Sequence, residues 1–128
     1  MVSTVAGLNR CLRYIDRYWD RITFSFPRDK KIHIGLPHRY VAPNSVLFKN
    51  DQFYWDSYFI VIGLLEAGKT QLAKGMVDNF IHLYERFGII PSRNRFHNVA
   101  SRHPLAKASG FLGEATAVEP KLCIHLLF

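Results

Sequence analysis

The apolar positions near the start of the chain recur at helical steps. Leu8, Leu12, Ile15 and Trp19 are three and four residues apart, with Cys11, Tyr18 and Ile22 beside them. Arg10, Arg13, Asp16, Arg17 and Asp20 take much of the opposite face. That period predicts an amphipathic helix over Thr4 to Trp19. The pattern then breaks. Pro27, Gly35, Pro37 and Pro43 rule out a long helix between Thr23 and Asn50. Lys31-Ile32-His33-Ile34 has the alternation of a short strand inside this irregular stretch. Long irregular segments on a rigid base often form the rim of a site.

Two more helices follow. From Asp51 to Ala67 the apolar residues Phe53, Tyr54, Trp55, Tyr58, Phe59, Ile60, Val61, Ile62, Leu64 and Leu65 wrap most of a helix circumference. Such a helix is expected to be covered on nearly all sides. Gly68 is the predicted stop and Thr70 the predicted cap of the next helix, Gln71 to Phe87. There Leu72, Ala73, Met76, Val77, Phe80, Leu83, Tyr84 and Phe87 make one stripe, and Gly88 ends it. The pair is a predicted helical hairpin. Ile89 to His103 reads as a polar loop. Beyond Pro104 no period persists, and the apolar close Cys123 to Phe128 suggests a truncated or frame-altered tail over 105–128.

Composition narrows the classes. The chain has 128 residues, 48% hydrophobic, with only 8 Gly and 6 Pro, which suits one globular domain and excludes disordered and collagen-like chains. Cys11 and Cys123 form no CxxC pattern, so neither a disulfide framework nor a cysteine zinc site is expected. The Phe53–Leu65 run is too short for the ~20 residues of a bilayer span, and Arg10 interrupts any signal-peptide core. No membrane association is expected, and the cytoplasm is the expected compartment. The formal net charge is +7, concentrated in Met1 to Arg39 and in Arg93, Arg95, Arg102 and Lys107. A basic helical module that binds a partner or nucleic acid is therefore the competing reading of function.

Two familiar patterns fail, one on spacing and one on context. His33, His38, His82, His97, His103 and His125 show no HExxH-type pair. Gly63 to Thr70 has the spacing of a phosphate loop but follows no strand, and Gly68 reads instead as a helix end. No metal or cofactor is expected.

The sharpest chemical feature is Phe53-Tyr54-Trp55-Asp56-Ser57-Tyr58. A carboxylate among aromatics is costly if buried alone, so Asp56 is expected at a helix start or in a pocket wall. An indole face packs on the apolar face of a pyranose, and a carboxylate accepts from neighbouring hydroxyls. The alternative is an aromatic core with a capping Asp.

These residues sit within a longer series that resembles the trehalases of glycoside hydrolase family 37. The series is Leu36-Pro37, Tyr40-Val41-Ala42-Pro43, Tyr54-Trp55-Asp56-Ser57-Tyr58-Phe59, Gly63-Leu64, Ala73 to Phe80, Arg86-Phe87-Gly88-Ile89-Ile90-Pro91 and Ser101-Arg102. The resemblance implies an all-α fold, part of an (α/α)6 toroid of helical hairpins, and hydrolysis of α,α-trehalose to glucose with inversion. It implies that Trp55, Asp56 and Arg102 bind sugar, with Asn94 the stand-in for the Asn that follows Pro in the family, where this chain has Ser92. The family's P-G-G-R-F lead-in is replaced by Pro43-Asn44-Ser45-Val46-Leu47, so its sugar-binding Arg has no counterpart; Lys49 is the nearest basic residue. The family's S-Q-P-P continuation after Arg102 is also replaced. An inverting glycosidase needs two carboxyl groups ~6.5–9.5 Å apart. In the family both lie well beyond the S-R motif, and Glu114 and Glu119 are in unmatched sequence. The implied picture is one partial glycosidase domain that binds a small sugar, does not bind nucleic acid and is inactive by itself.

Overall fold

The computed structural model describes residues 2–100, with side chains from Val5 onward. In chain order it contains α1 (Val2–Ile22), β1 (Thr23–Phe26), β2 (Leu36–Val41), α2 (Tyr54–Glu66), α3 (Thr70–Phe87) and the short α4 (Phe96–Ala100). Most of the described chain is helical, as expected of an all-α fragment. The expected tail over 105–128 lies outside the described residues.

The irregular segment holds more order than its prolines suggest. β1 and β2 pair antiparallel, with Thr23 opposite Val41 and Phe26 opposite Leu36, and an irregularity between Phe24 and Phe26. Lys31 to Ile34 is not a strand. Lys30 and His33 exchange both backbone hydrogen bonds, at 3.0 and 3.1 Å, which makes Lys31-Ile32 the turn of a tight hairpin. Lys31 accordingly adopts φ 57°, a value that such two-residue turns require. Gly35 completes the fold-back: a Cβ there would lie 2.7 Å from the Arg28 backbone. Its N–H donates to Asp29 Oδ1 at 2.7 Å.

The helical hairpin forms as the stripes predict, with shifted ends. α2 starts at Tyr54 rather than Asp51, because Phe53 is extended and the side chains of Asp51 and Gln52 before it are buried. The turn between the helices is closed by Ala67 N–H to Gly63 O, Gly68 N–H to Leu65 O and Lys69 N–H to Leu64 O. Gly68 and Gly88 both have φ near 70°, the left-handed stop that glycine adopts without strain. Thr70 is not a cap. Lys69 holds that position, without a side-chain cap bond.

The core lies between β2, α2 and α3. Ile34, Leu36, Tyr40, Leu64 and Met76 are fully buried, with Leu83 nearly so. β2 approaches α3 closely at Gly75, where a Cβ would meet His38 Cβ at 3.1 Å. Trp19 packs on α2 in the same way, its Cζ2 and Cη2 3.2 Å from a Cβ built on Gly63. The expectation that α2 is covered all round is not met among the described residues. Trp55, Tyr58, Phe59, Ile62 and Leu65 are exposed. α3 and Trp19 reach only part of its circumference, and α1 leaves Val5, Leu8, Leu12 and Ile15 exposed as well.

Candidate functional site

The start of α2 is built by three separate pieces of chain. Phe53 precedes the helix in extended conformation and bridges to Arg93. Tyr54 N–H, one of the donors a helix start leaves unpaired, donates to Ser92 O at 3.0 Å. On the other side of that loop His33 bridges to Arg95, Ile34 N–H donates to Asn94 O at 2.9 Å, and Phe96 N–H donates to Ile32 O at 3.0 Å. The loop itself turns sharply, with Arg95 N–H donating to Arg93 O at 2.7 Å. Residues 92–96 thus clasp the lead-in hairpin on one side and α2 on the other.

Buried polar side chains hold this clasp. The Asp51 carboxylate is 1% exposed and takes a forked pair from Arg95, Nε at 2.8 Å and Nη2 at 2.5 Å. That bond raises the Arg95 pKa further. His33 Nε2 stands 3.4 Å from the same carboxylate. Burial nevertheless pushes the His33 pKa below its ordinary value, against the pull of Asp51. The carboxylate is already neutralised by Arg95, so we read His33 as the neutral imidazole. Burial also pushes the Tyr40 phenol upward, Asp51 adding to the effect. Its hydroxyl donates to Lys49 O at 2.9 Å.

A second network runs through amides. Asn94 Oδ1 accepts from Gln52 N–H at 2.8 Å, and its Nδ2 donates to Ile34 O at 2.8 Å and Asn50 O at 3.1 Å. Gln52 Nε2 donates to Met76 O at 2.8 Å. Asn79 Nδ2 donates to Gln52 Oε1 at 2.9 Å and to His38 O at 3.1 Å, and Asn79 Oδ1 accepts from His38 N–H at 2.9 Å. Each of these buried amides is satisfied, which a dry polar network requires.

On this base the expected site residues fare differently. Trp55 stands in the first turn of α2 and is 77% exposed. Its indole is tilted 6.5 Å from the Phe59 ring. Asp56 is in the same turn, half-buried, where its charge is favoured by the helix N-terminus. Both therefore sit beside the loop after α3, as an antiparallel hairpin requires. Asn94 has another task than sugar contact: its side chain is fully buried and its donors and acceptor are spent on the protein. Arg102 lies outside the described residues. Lys49 is exposed.

Sequence reasoning missed Asp51, Gln52, Asn79 and Arg95. One signal was available. Asn79 falls three residues after Met76 and four before Leu83, in the middle of the apolar stripe of α3, where a polar residue needs a buried partner. At the far end of the hairpin an open cleft of about 540 Å³ is lined by His38, Arg39, Lys69, Thr70 and Gly75; none of the expected site residues borders it. Among the described residues no three His, Cys, Asp or Glu groups converge as metal ligands, and no helix is long and apolar enough to cross a membrane.

The class defined here is an α-helical hairpin protein that presents an aromatic–carboxylate pair on a braced helix start. A trehalase family profile matches residues 13–104. The chain belongs to the trehalase family. It is 35% identical over 94 residues to proteins named periplasmic trehalase from Xanthomonas campestris pv. campestris (strain B100), Xanthomonas axonopodis pv. citri (strain 306) and Xanthomonas oryzae pv. oryzae (strain MAFF 311018). Each match covers 71% of this chain and 16% of the relative, so the chain spans about one sixth of their length. The relatives' names overturn the expectation of a cytoplasmic setting, which rested only on the lack of a recognisable leader near Met1.

Proposed function

We propose that this chain is the part of a trehalose-hydrolysing glycosidase that supplies one wall of a sugar subsite. The observation that carries the reading is the exposed Trp55 beside half-buried Asp56 on a helix start fixed from two sides. An indole this exposed contributes little to the core, and its free face suits the apolar face of a glucose ring. Asp56, beside it, accepts from neighbouring hydroxyls. Arg102 joins them from the loop after α3, and residues 1–128 belong to one glycosidase domain with 105–128 outside the family pattern. The periplasm named for the relatives is the compartment in which the whole protein works.

The general acid and base are not among the residues assigned here. The test therefore reads binding first. Calorimetric titration of the 128-residue chain with α,α-trehalose is expected to give saturable heat, with a weaker response to lactose and no release of glucose. No heat with trehalose would overturn the subsite reading. Glucose release would overturn the assignment of the proton-transfer groups to other sequence.

A further inference from the structure

Arg93 and Arg95 leave the same tight turn and meet different fates. Arg95 is neutralised by Asp51. Arg93 pairs with no carboxylate among the described residues. Its guanidinium carbon stands 5.6 Å from the centre of the Phe53 ring, and its Nε donates to Asn98 Oδ1 at 3.2 Å. The side chain is thus held at two points and is half-buried, with no described group engaging Nη1 or Nη2. Phe53 is the residue that caps α2, so this fixed cation lies at the same helix start as Trp55 and Asp56.

We propose that Arg93 is a ligand-contacting residue of this site, donating from Nη1 and Nη2 to sugar hydroxyl oxygens. The inference rests on the sugar-subsite reading above. A saccharide hydroxyl is both donor and acceptor. Asp56 can only accept, so the hydroxyl oxygens beside it need donors; Arg102 of the proposed subsite is one, and Arg93 is placed to be another. A guanidinium offers two parallel N–H groups at a spacing that matches neighbouring oxygens. The aromatic contact and the Asn98 bond fix that fork before ligand arrives without cancelling its charge, which lowers the ordering cost of binding.

The experiment is calorimetric titration of α,α-trehalose into the 128-residue chain and into its Arg93→Ala and Arg93→Lys variants, with melting temperatures measured in parallel. Loss of a charge-assisted hydrogen bond predicts about a tenfold or larger fall in affinity for Arg93→Ala, with the melting temperature unchanged. Arg93→Lys keeps the charge and is expected to recover part of the loss. Equal affinity of Arg93→Ala and the parent overturns this inference and leaves the subsite reading standing. If Arg93→Ala loses both affinity and melting temperature, recovery of affinity by Arg93→Lys supports contact, and no recovery overturns it. Absence of binding by the parent chain overturns both readings together.

Discussion

Asp51 and Arg95, 44 residues apart in sequence, close a forked ion pair with the carboxylate 1% exposed. The pair ties the approach to α2 to the loop that leaves α3. It therefore fixes the helix start on which Trp55 and Asp56 stand. Breaking it at Arg95 leaves the Asp51 carboxylate buried without its guanidinium, which is far more costly than losing an exposed bridge.

Arg95→Met is accordingly expected to destabilise the fold by about 3–5 kcal/mol, as typical of a pair cut so that the buried charge is left alone. Urea unfolding of the parent and the variant measures this. A loss below about 1 kcal/mol, the range of exposed pairs, would show that the clasp does not depend on it.

Asp29 supplies an acid-range test. The Arg86 guanidinium, donating to both carboxylate oxygens, holds its pKa at about 2, against 3.8 for the free residue. The folded form is thus the stronger acid. The stabilisation is complete above pH 3.8 and is lost as pH falls towards about 2. Both side chains are more than a third exposed, so solvent screening limits the contribution to below about 1 kcal/mol. Stability measured across this window is expected to fall less steeply in Asp29→Asn than in the parent; identical slopes would contradict the assignment.

Phe59 tests the uncovered face of α2. It is 59% exposed, and with Ile62 and Trp55 it offers apolar surface to any surface it meets. The chain is expected to associate with rising concentration in light scattering and to bind an apolar dye. Phe59→Lys should reduce both while changing stability by less than about 0.5 kcal/mol, as exposed substitutions do. A parent chain that stays monomeric and binds no dye would contradict this.

The hairpin was legible because its stripes have a plain period and glycines mark both stops, Gly68 and Gly88. The helix starts were not. Asp51 and Gln52 continue a helical-looking run, yet both side chains find partners distant in sequence, Arg95 and Met76, that no local pattern announces. The lead-in was misjudged for a related reason. Lys31 to Ile34 alternates like a strand, but Gly35, needed against Arg28, and the left-handed Lys31 fold it into a turn. Trp55 and Asp56 could be singled out because an aromatic–carboxylate pair is unusual on a helix and sits within a matching series. Asn94 was given a ligand role that its buried amide does not have room to play, since burial and pairing are tertiary facts.

The central claim is that the exposed indole at the start of α2 faces sugar. The chain has two tryptophans, Trp19 packed against Gly63 and Trp55 in the open, so its amide spectrum carries two indole N–H signals that substitution can assign. The most direct measurement is a titration of the ¹⁵N-labelled chain with α,α-trehalose, following those two signals in the parent and in Asp56→Asn. The account predicts that the Trp55 signal moves saturably, that the Trp19 signal stays in place, and that Asp56→Asn weakens the response about tenfold or more without changing the melting temperature. A Trp55 signal that does not move as trehalose is added, or an Asp56→Asn variant that melts lower and responds to trehalose as the parent does, would contradict it.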